Sequence, residues 1–210
     1  PHSRETSTLK LGEVLASREW GPLGLRHGEV EVTAQVVAFL RRRLVTGEVL
    51  GEEALDLPPR TLLTRGTWWT LPAPVLAEAA LDDGDVPGAL HAAEHAAIAL
   101  LPLVASCDRW DVGGLSTAWH PDTGEATIVV HDGHPGGGGF AARGFEAARA
   151  WLTLTHEAVA TCPCEAGCPA CVQSPKCGNG NEPLDKAGAA RLLAVLLRHA
   201  DTDTDTDAVS

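Results

Sequence analysis

The sequence predicts an α+β fold, with a mainly β N-terminal part followed by helices, a hairpin and a tetracysteine loop between two late helices. Three observations predict it. Apolar residues alternate through Val30, Val32, Ala34 and Val36, alanine-rich helical periodicity begins after Pro72, and five of six cysteines fall within sixteen residues as Cys162, Cys164, Cys168, Cys171 and Cys177.

Taken in order, Pro1 to Thr8 carry no apolar periodicity, so residues 1–10 read as a linker or expression remnant. Glu29 to Phe39 alternate as a half-buried strand does, Arg41, Arg42 and Arg43 follow directly, and Thr46-Gly47-Glu48 reads as a turn into a second extended segment. Leu55 to Leu71, with Leu57-Pro58-Pro59 and the pair Trp68-Trp69, reads as further strands and loops. Residues 25–72 are therefore the β-rich part of a domain spanning 11–200, and 73–200 the helical, metal-binding part.

Helices are expected over Pro74 to Leu81 and Val86 to Ser106, separated by Gly84 and Asp85, with Asp85 capping the second and Pro102 kinking or ending it near Leu101. Strands over Leu115 to His120 and Glu125 to His131, joined by Pro121-Asp122-Thr123-Gly124, form a hairpin. A helix from Phe140 to Ala160 precedes the cysteines, and an amphipathic helix from Leu184 to His199 follows them. Residues 201–207 alternate Asp and Thr, and 201–210 read as a disordered acidic tail.

Charge and composition narrow the function. The formal net charge is −12, of which the tail supplies four, leaving −8, whereas free-standing nucleic-acid binders are usually basic because phosphate neutralisation carries their affinity. The chain has no methionine and starts at Pro1, which leads to the expectation of a piece of a larger protein. No apolar run is read as long enough to span a bilayer, and no secretory signal precedes the cysteines, so a reducing, cytoplasmic location is expected.

In that setting clustered thiols indicate metal. Cysteines two or three apart rarely meet disulfide geometry, whereas a tetrahedral zinc takes four thiolates from short turns, here preset by Pro163, Gly167 and Pro169. The compact ligand set is Cys162, Cys164, Cys168 and Cys171; Cys177 is the odd one out, or replaces a member of the first pair. Cys107 reads as a small apolar packing residue.

Other motifs have plainer alternatives. Gly136 to Gly139 follow a strand and open a helix but lack the lysine of a phosphate-binding loop, so they read as a tight turn or, with Arg143, as an anion contact such as a DNA phosphate. His91-Ala-Ala-Glu94-His95 has the form used by some zinc peptidases, without an obvious third ligand; its plainer reading has the histidines hydrogen bonded beside Asp132 or to backbone carbonyls. Arg41, Arg42, Arg43, Arg60 and Arg65 with Trp68 and Trp69 are the candidate nucleic-acid surface, and otherwise a solvated strand end and two core indoles.

The stretches His91 to His95, Asp132 with Pro135 to Gly139, Cys162-Pro-Cys164, and Gly167-Cys-Pro-Ala-Cys-Val-Gln-Ser-Pro-Lys-Cys-Gly-Asn179 to Lys186 together resemble one domain. It is the C-terminal zinc-binding domain of MrfA-type superfamily 2 DNA helicases, the mitomycin repair factor group that includes the tetracysteine helicase SftH. The similarity covers most of residues 25–200. It implies an accessory domain beside upstream RecA-like motors that hydrolyse ATP with magnesium and move 3′ to 5′ along single-stranded DNA in repair. It also implies that Cys162, Cys164, Cys168 and Cys171 hold a structural zinc. No motor motif occurs here, so the chain alone is expected not to be catalytic; the alternative is a zinc peptidase built on His91, Glu94 and His95.

Overall fold

A computed structural model describes residues 3–202. Six strands, β1 (Ser3–Trp20), β2 (Leu23–Arg42), β3 (Val49–Ala54), β4 (Arg60–Leu71), β5 (Val112–Thr117) and β6 (Ala126–Asp132), form one antiparallel sheet ordered β1-β2-β4-β6-β5, with β3 pairing β2 outside that path. Six helices complete the fold: α1 (Ala73–Glu78), α2 (Val86–Leu100), α3 (Pro102–Ala105), α4 (Phe140–Glu146), α5 (Ala148–Ala160) and α6 (Lys186–Thr202). The α+β order expected from the sequence is the observed one.

The segment read as linker is different. Ser3 to Lys10 pair with β2 from Phe39 to Glu31, as the first half of an 18-residue strand. Of these eight residues only Leu9 is buried, so the edge strand shows no apolar alternation for a sequence reading to find. Register shifts between Leu11 and Ala16 bend the β1–β2 hairpin, as bulges do, and its edge reaches the β5–β6 turn, where the Leu11 N–H donates to Asp122 Oδ2 at 2.8 Å. Residues 203–210, most of the acidic tail, lie outside the described residues; Asp201 and Thr202 end α6.

Successive strand residues face opposite sides of the sheet, and the tryptophan pair uses both. Trp69 joins Leu23, Leu25, Leu71, Ile128 and Val130 in the main core beneath the helices, with its ring 5.0 Å from Trp151 of α5. Trp68 packs on the other face with Leu9, Val30 and Val129.

Helix α2 is the spine of the helical layer. Its buried Ala89, Ala92, Ala93, Ala96 and Ala97 are small enough for neighbours to approach closely. A Cβ on Gly188 of α6 would lie 2.9 Å from the Ala89 Cβ, and the Trp151 indole N–H donates to the Ala97 carbonyl at 2.8 Å. Val86–Ala105 is, by length and composition, apolar enough to cross a membrane, contrary to the sequence reading that no run approaches that length. Two-thirds of it is buried inside the fold, as a core helix requires.

Boundaries shift for local reasons. Pro102 does end α2 at Leu100, and α3 continues it for one turn. Asp85 sits at the N-cap but makes no side-chain cap bond; Asp82 Oδ1 accepts from Gly84 and Asp85 N–H instead. The helix expected over 140–160 breaks at Ala147 into α4 and α5.

The glycine run is held by the chain's own carboxylate. Buried Asp132, at the end of β6, accepts from Gly138 and Gly139 N–H through Oδ2 at 2.7 and 2.8 Å, and from Ala141 N–H through Oδ1 at 2.8 Å. Gly137 and Gly139 take φ of 93° and 83°, which glycine adopts without strain. These amide donors are thus already used, which favours the tight-turn reading over a phosphate contact. Asp132→Ala should strand three donors and cost about 3 kcal/mol, lowering the melting temperature by roughly 6–12 °C; an unchanged thermal melt would refute this role.

Candidate metal centre

Between α5 and α6 the chain from Thr161 to Asp185 contains no helix or strand. Its geometry comes from turn chemistry. Gly167 has φ of 106°, and a Cβ there would press within 2.5 Å of Val172 Cγ2, so only glycine fits. Past it, the Cys168 carbonyl accepts from Cys171, Val172 and Gln173 N–H at 3.0, 3.2 and 3.1 Å, closing the Cys-Pro-Ala-Cys turn.

This turn and the preceding Cys162-Pro-Cys164 arm bring four sulfurs to one point. The Sγ separations are 3.6 Å for Cys162–Cys164, 3.6 Å for Cys162–Cys168, 3.5 Å for Cys164–Cys171 and 3.8 Å for Cys168–Cys171. A zinc with sulfur ligands at about 2.3 Å requires tetrahedron edges of about 3.8 Å. The thiols therefore fit a closed tetrahedral zinc site with little adjustment. Four ionised thiols this close repel strongly unless a cation sits among them. Without a cation their acidities split. Burial opposes ionisation of Cys164, but hydrogen bonds with Cys171, Cys162 and Cys168 bring it down to about 7, while burial above all pushes Cys171 up to about 12.

The surroundings hold the arm in place. Lys186, the first residue of α6, donates its Nζ to the carbonyls of Cys162 and Cys164 at 2.7 and 2.5 Å, tying the loop to the next helix. The Cys168 N–H points at Cys171 Sγ from 3.3 Å, a donor suited to a thiolate.

Cys177 stands apart from this set. Its Sγ meets His91 Nε2 at 3.4 Å, and His91, His95 and Cys177 place one ligand atom each within 4.8 Å of one another. The histidines are one turn apart on α2, with ring centroids 4.2 Å apart. Their Nδ1 atoms meet the carbonyls of Pro183 and Val172 at 2.8 and 2.9 Å, the backbone-carbonyl bonding anticipated for them; Asp132 is engaged elsewhere. Burial alone would raise the Cys177 thiol, yet hydrogen bonds from His91, His95 and the Asn181 and Asn179 amides bring it down to about 5. Burial likewise works against protonation of His91, but the contacts with Cys177 and Pro183 outweigh it and raise its pKa.

Glu94 of the same motif is not among these converging ligand atoms. It is buried, accepts from Ser116 Oγ at 2.6 Å, and is raised in pKa by burial. All four residues line a cleft of about 900 Å³, walled on one side by α2 and the Ser174–Asn179 loop and on the other by Glu5 to Leu9 of the curled hairpin.

The candidate nucleic-acid residues do not form one surface. Trp68 and Trp69 are 2% and 1% exposed, so neither indole face is free to stack on a base. Arg41, Arg42 and Arg43 are exposed at the far end of β2, where Arg41 pairs with Glu53 at 3.4 Å and Arg43 with Glu48 at 3.1 Å. Arg65 pairs with Glu29 at 3.1 Å, and Glu29 is twelve positions from Arg41 along the same strand, about 40 Å of extended chain. Arg60 and Arg143 are exposed, on β4 and α4. The exposed indoles are Trp110 and Trp119, at 65% and 62%, and Trp119 lines the cleft. Trp110 lies in no periodic segment, and Trp119 falls in the stretch read as a strand over Leu115 to His120, whereas β5 ends at Thr117 and leaves it in the turn.

A protein from Methanocaldococcus jannaschii is 38% identical over 111 residues, which is 51% of this chain and 99% of that protein. The profile of the MrfA Zn-binding domain matches residues 93–172, from the middle of α2 through the last of the four clustered cysteines. This chain belongs to the MrfA zinc-binding domain family. The domain's centre is accordingly a zinc site. The "Uncharacterized ATP-dependent helicase YprA" of Bacillus subtilis is 27% identical over 164 residues, covering 78% of this chain and 22% of the helicase. The ATP-dependent helicase HRQ1 of Saccharomyces cerevisiae is 28% identical over 207 residues, covering 90% and 18%. The crystal structure of the DUF1998 helicase MrfA bound to DNA shares the fold, with a TM-score of 0.68 and 24% identity over 92% of this chain and 25% of that one. The chain thus spans nearly all of its archaeal relative but only about a fifth of these helicases.

Cys168→Ser should remove one of four sulfurs from a closed site. The expected result is loss of the bound zinc and a lower melting temperature; unchanged zinc content and melting would exclude these cysteines as the ligands.

Proposed function

We propose that this domain is the accessory module of an ATP-dependent 3′ to 5′ DNA helicase acting in DNA repair in the cytoplasm. Its zinc makes the Thr161–Asp185 loop rigid, so that the domain packs on the RecA-like motor and helps guide single-stranded DNA. ATP and magnesium belong to the motor, and the domain by itself performs no hydrolysis. The observation that carries this reading is the tetrahedral arrangement of Cys162, Cys164, Cys168 and Cys171 within a fold similar over most of its length to part of a DNA-bound helicase.

On this reading the guiding surface is the cleft rather than the arginine row. Trp119 offers an exposed indole there, and base stacking on an aromatic ring supplies about 1–3 kcal/mol per base. Arg41 and Arg43 are already neutralised by glutamates. The zinc peptidase alternative has weaker support, because Glu94 is buried with its carboxylate held by Ser116 rather than free to take a proton from water.

Joined to its motor domains, the protein should show DNA-stimulated ATPase and 3′ to 5′ unwinding. Trp119→Ala in that protein should weaken single-stranded DNA binding about tenfold, within the stacking range, while leaving basal ATPase unchanged. No DNA stimulation would overturn the helicase reading, unchanged DNA affinity would remove Trp119 from the guiding surface, and proteolysis by the isolated domain that is lost in Glu94→Gln would establish the peptidase.

A further inference from the structure

The tetracysteine centre leaves Cys177 unused, and the structure places it where the two histidines of α2 converge. The tautomers follow from the partners. Backbone carbonyls can only accept, so the Nδ1 atoms of His91 and His95, at 2.8 Å from Pro183 O and 2.9 Å from Val172 O, carry the ring protons. A neutral ring of either histidine then presents an Nε2 lone pair, and the His91 Nε2 lies 3.4 Å from Cys177 Sγ. A tetrahedral zinc with sulfur at about 2.3 Å and nitrogen at about 2.05 Å sets sulfur and nitrogen about 3.5 Å apart. Carbonyls accepting from the far ring nitrogen are the usual outer support of a metal-bound histidine. The sulfur has a comparable support, since the Asn181 N–H donates to it at 3.2 Å.

We propose that His91, His95 and Cys177 bind a second zinc ion, whose fourth position opens onto the cleft and holds water. All three residues line that cleft, whereas Glu94 does not belong to the set of converging ligand atoms and is held by Ser116. The site is distinct from the tetracysteine centre yet joined to it, because His95 is anchored on the carbonyl of Val172, the residue after Cys171. His91 and Cys177 both lie outside the residues 93–172 that match the family profile. A metal here would pin the Ser174–Asn181 segment to α2, whereas the first ties the Cys162–Cys164 arm to the Cys168–Cys171 turn.

The test reconstitutes the full chain with excess zinc under reducing conditions, removes loosely bound metal, and counts what remains. About two zinc ions per chain are expected, with X-ray absorption averaging about 2.5 sulfur and one imidazole neighbour per zinc, as one closed and one open site require. Cys177→Ser and His91→Ala should each retain about one zinc, now with four sulfur neighbours. In the cobalt-loaded protein, azide should perturb the visible spectrum of the parent chain and leave both variants unchanged, because only the open site accepts an added ligand. One zinc in the parent chain with purely sulfur neighbours would overturn the proposal and leave Cys177 and His91 as a thiolate–imidazolium pair. Two zincs that survive both substitutions would overturn it as well. The parent chain's count and neighbours decide the matter even if a variant fails to fold.

Discussion

Four thiolates need a cation, and the organisation of the domain's second half follows from that need. The connection between α5 and α6 has no regular secondary structure, and ordering such a chain costs on the order of 1–2 kcal/mol per residue. Structural zinc in small domains contributes roughly 10–16 kcal/mol, which offsets part of that cost. The ordered loop then does work for the rest of the fold. It sends Val172 into the core, offers its carbonyls to Lys186 at the start of α6, and presents the carbonyls of Val172 and Pro183 to the histidines of α2.

The second constraint is the narrowness of α2. Its alanines let α5, α6 and the sheet close around it, so one helix carries core contacts on most faces and still turns His91, Glu94 and His95 towards the cleft. Opposite it, the hairpin of β1 and β2 is long enough and bent enough to supply the other wall, anchored where Leu11 meets Asp122. The cleft therefore belongs to both halves of the chain. Asp132 adds a local counterpart: one buried carboxylate organises the glycine turn that starts α4, using the amide donors an external anion would otherwise need.

Much of this was legible in the sequence. Cysteine spacing is a strong signal because the ligand geometry is local, and all four expected ligands converge. The β5–β6 hairpin, the break at Pro102 and the amphipathic α6 likewise follow from short-range chemistry. What escaped was non-local. The polar edge strand β1 is defined only by its pairing with β2, so Ser3 to Lys10 carry no pattern of their own. Trp68 and Trp69 alternate faces as strand residues do, but that both faces are covered depends on elements packed from elsewhere. The union of His91 and His95 with Cys177 joins positions more than eighty residues apart, and only the fold brings a thiol to histidines for which the sequence offered no obvious third ligand. Residues 203–210 of the acidic tail remain outside the described structure.

Metal, rather than packing, should hold the Thr161–Asp185 loop, and hydrogen exchange measured by mass spectrometry on the zinc-loaded and chelator-stripped chain tests this. Stripping should remove protection from this loop and from the facing ends of α5 and α6, while the β2–β4–β6 ladder keeps its protection. Equal protection of the loop with and without metal would show that packing alone orders it.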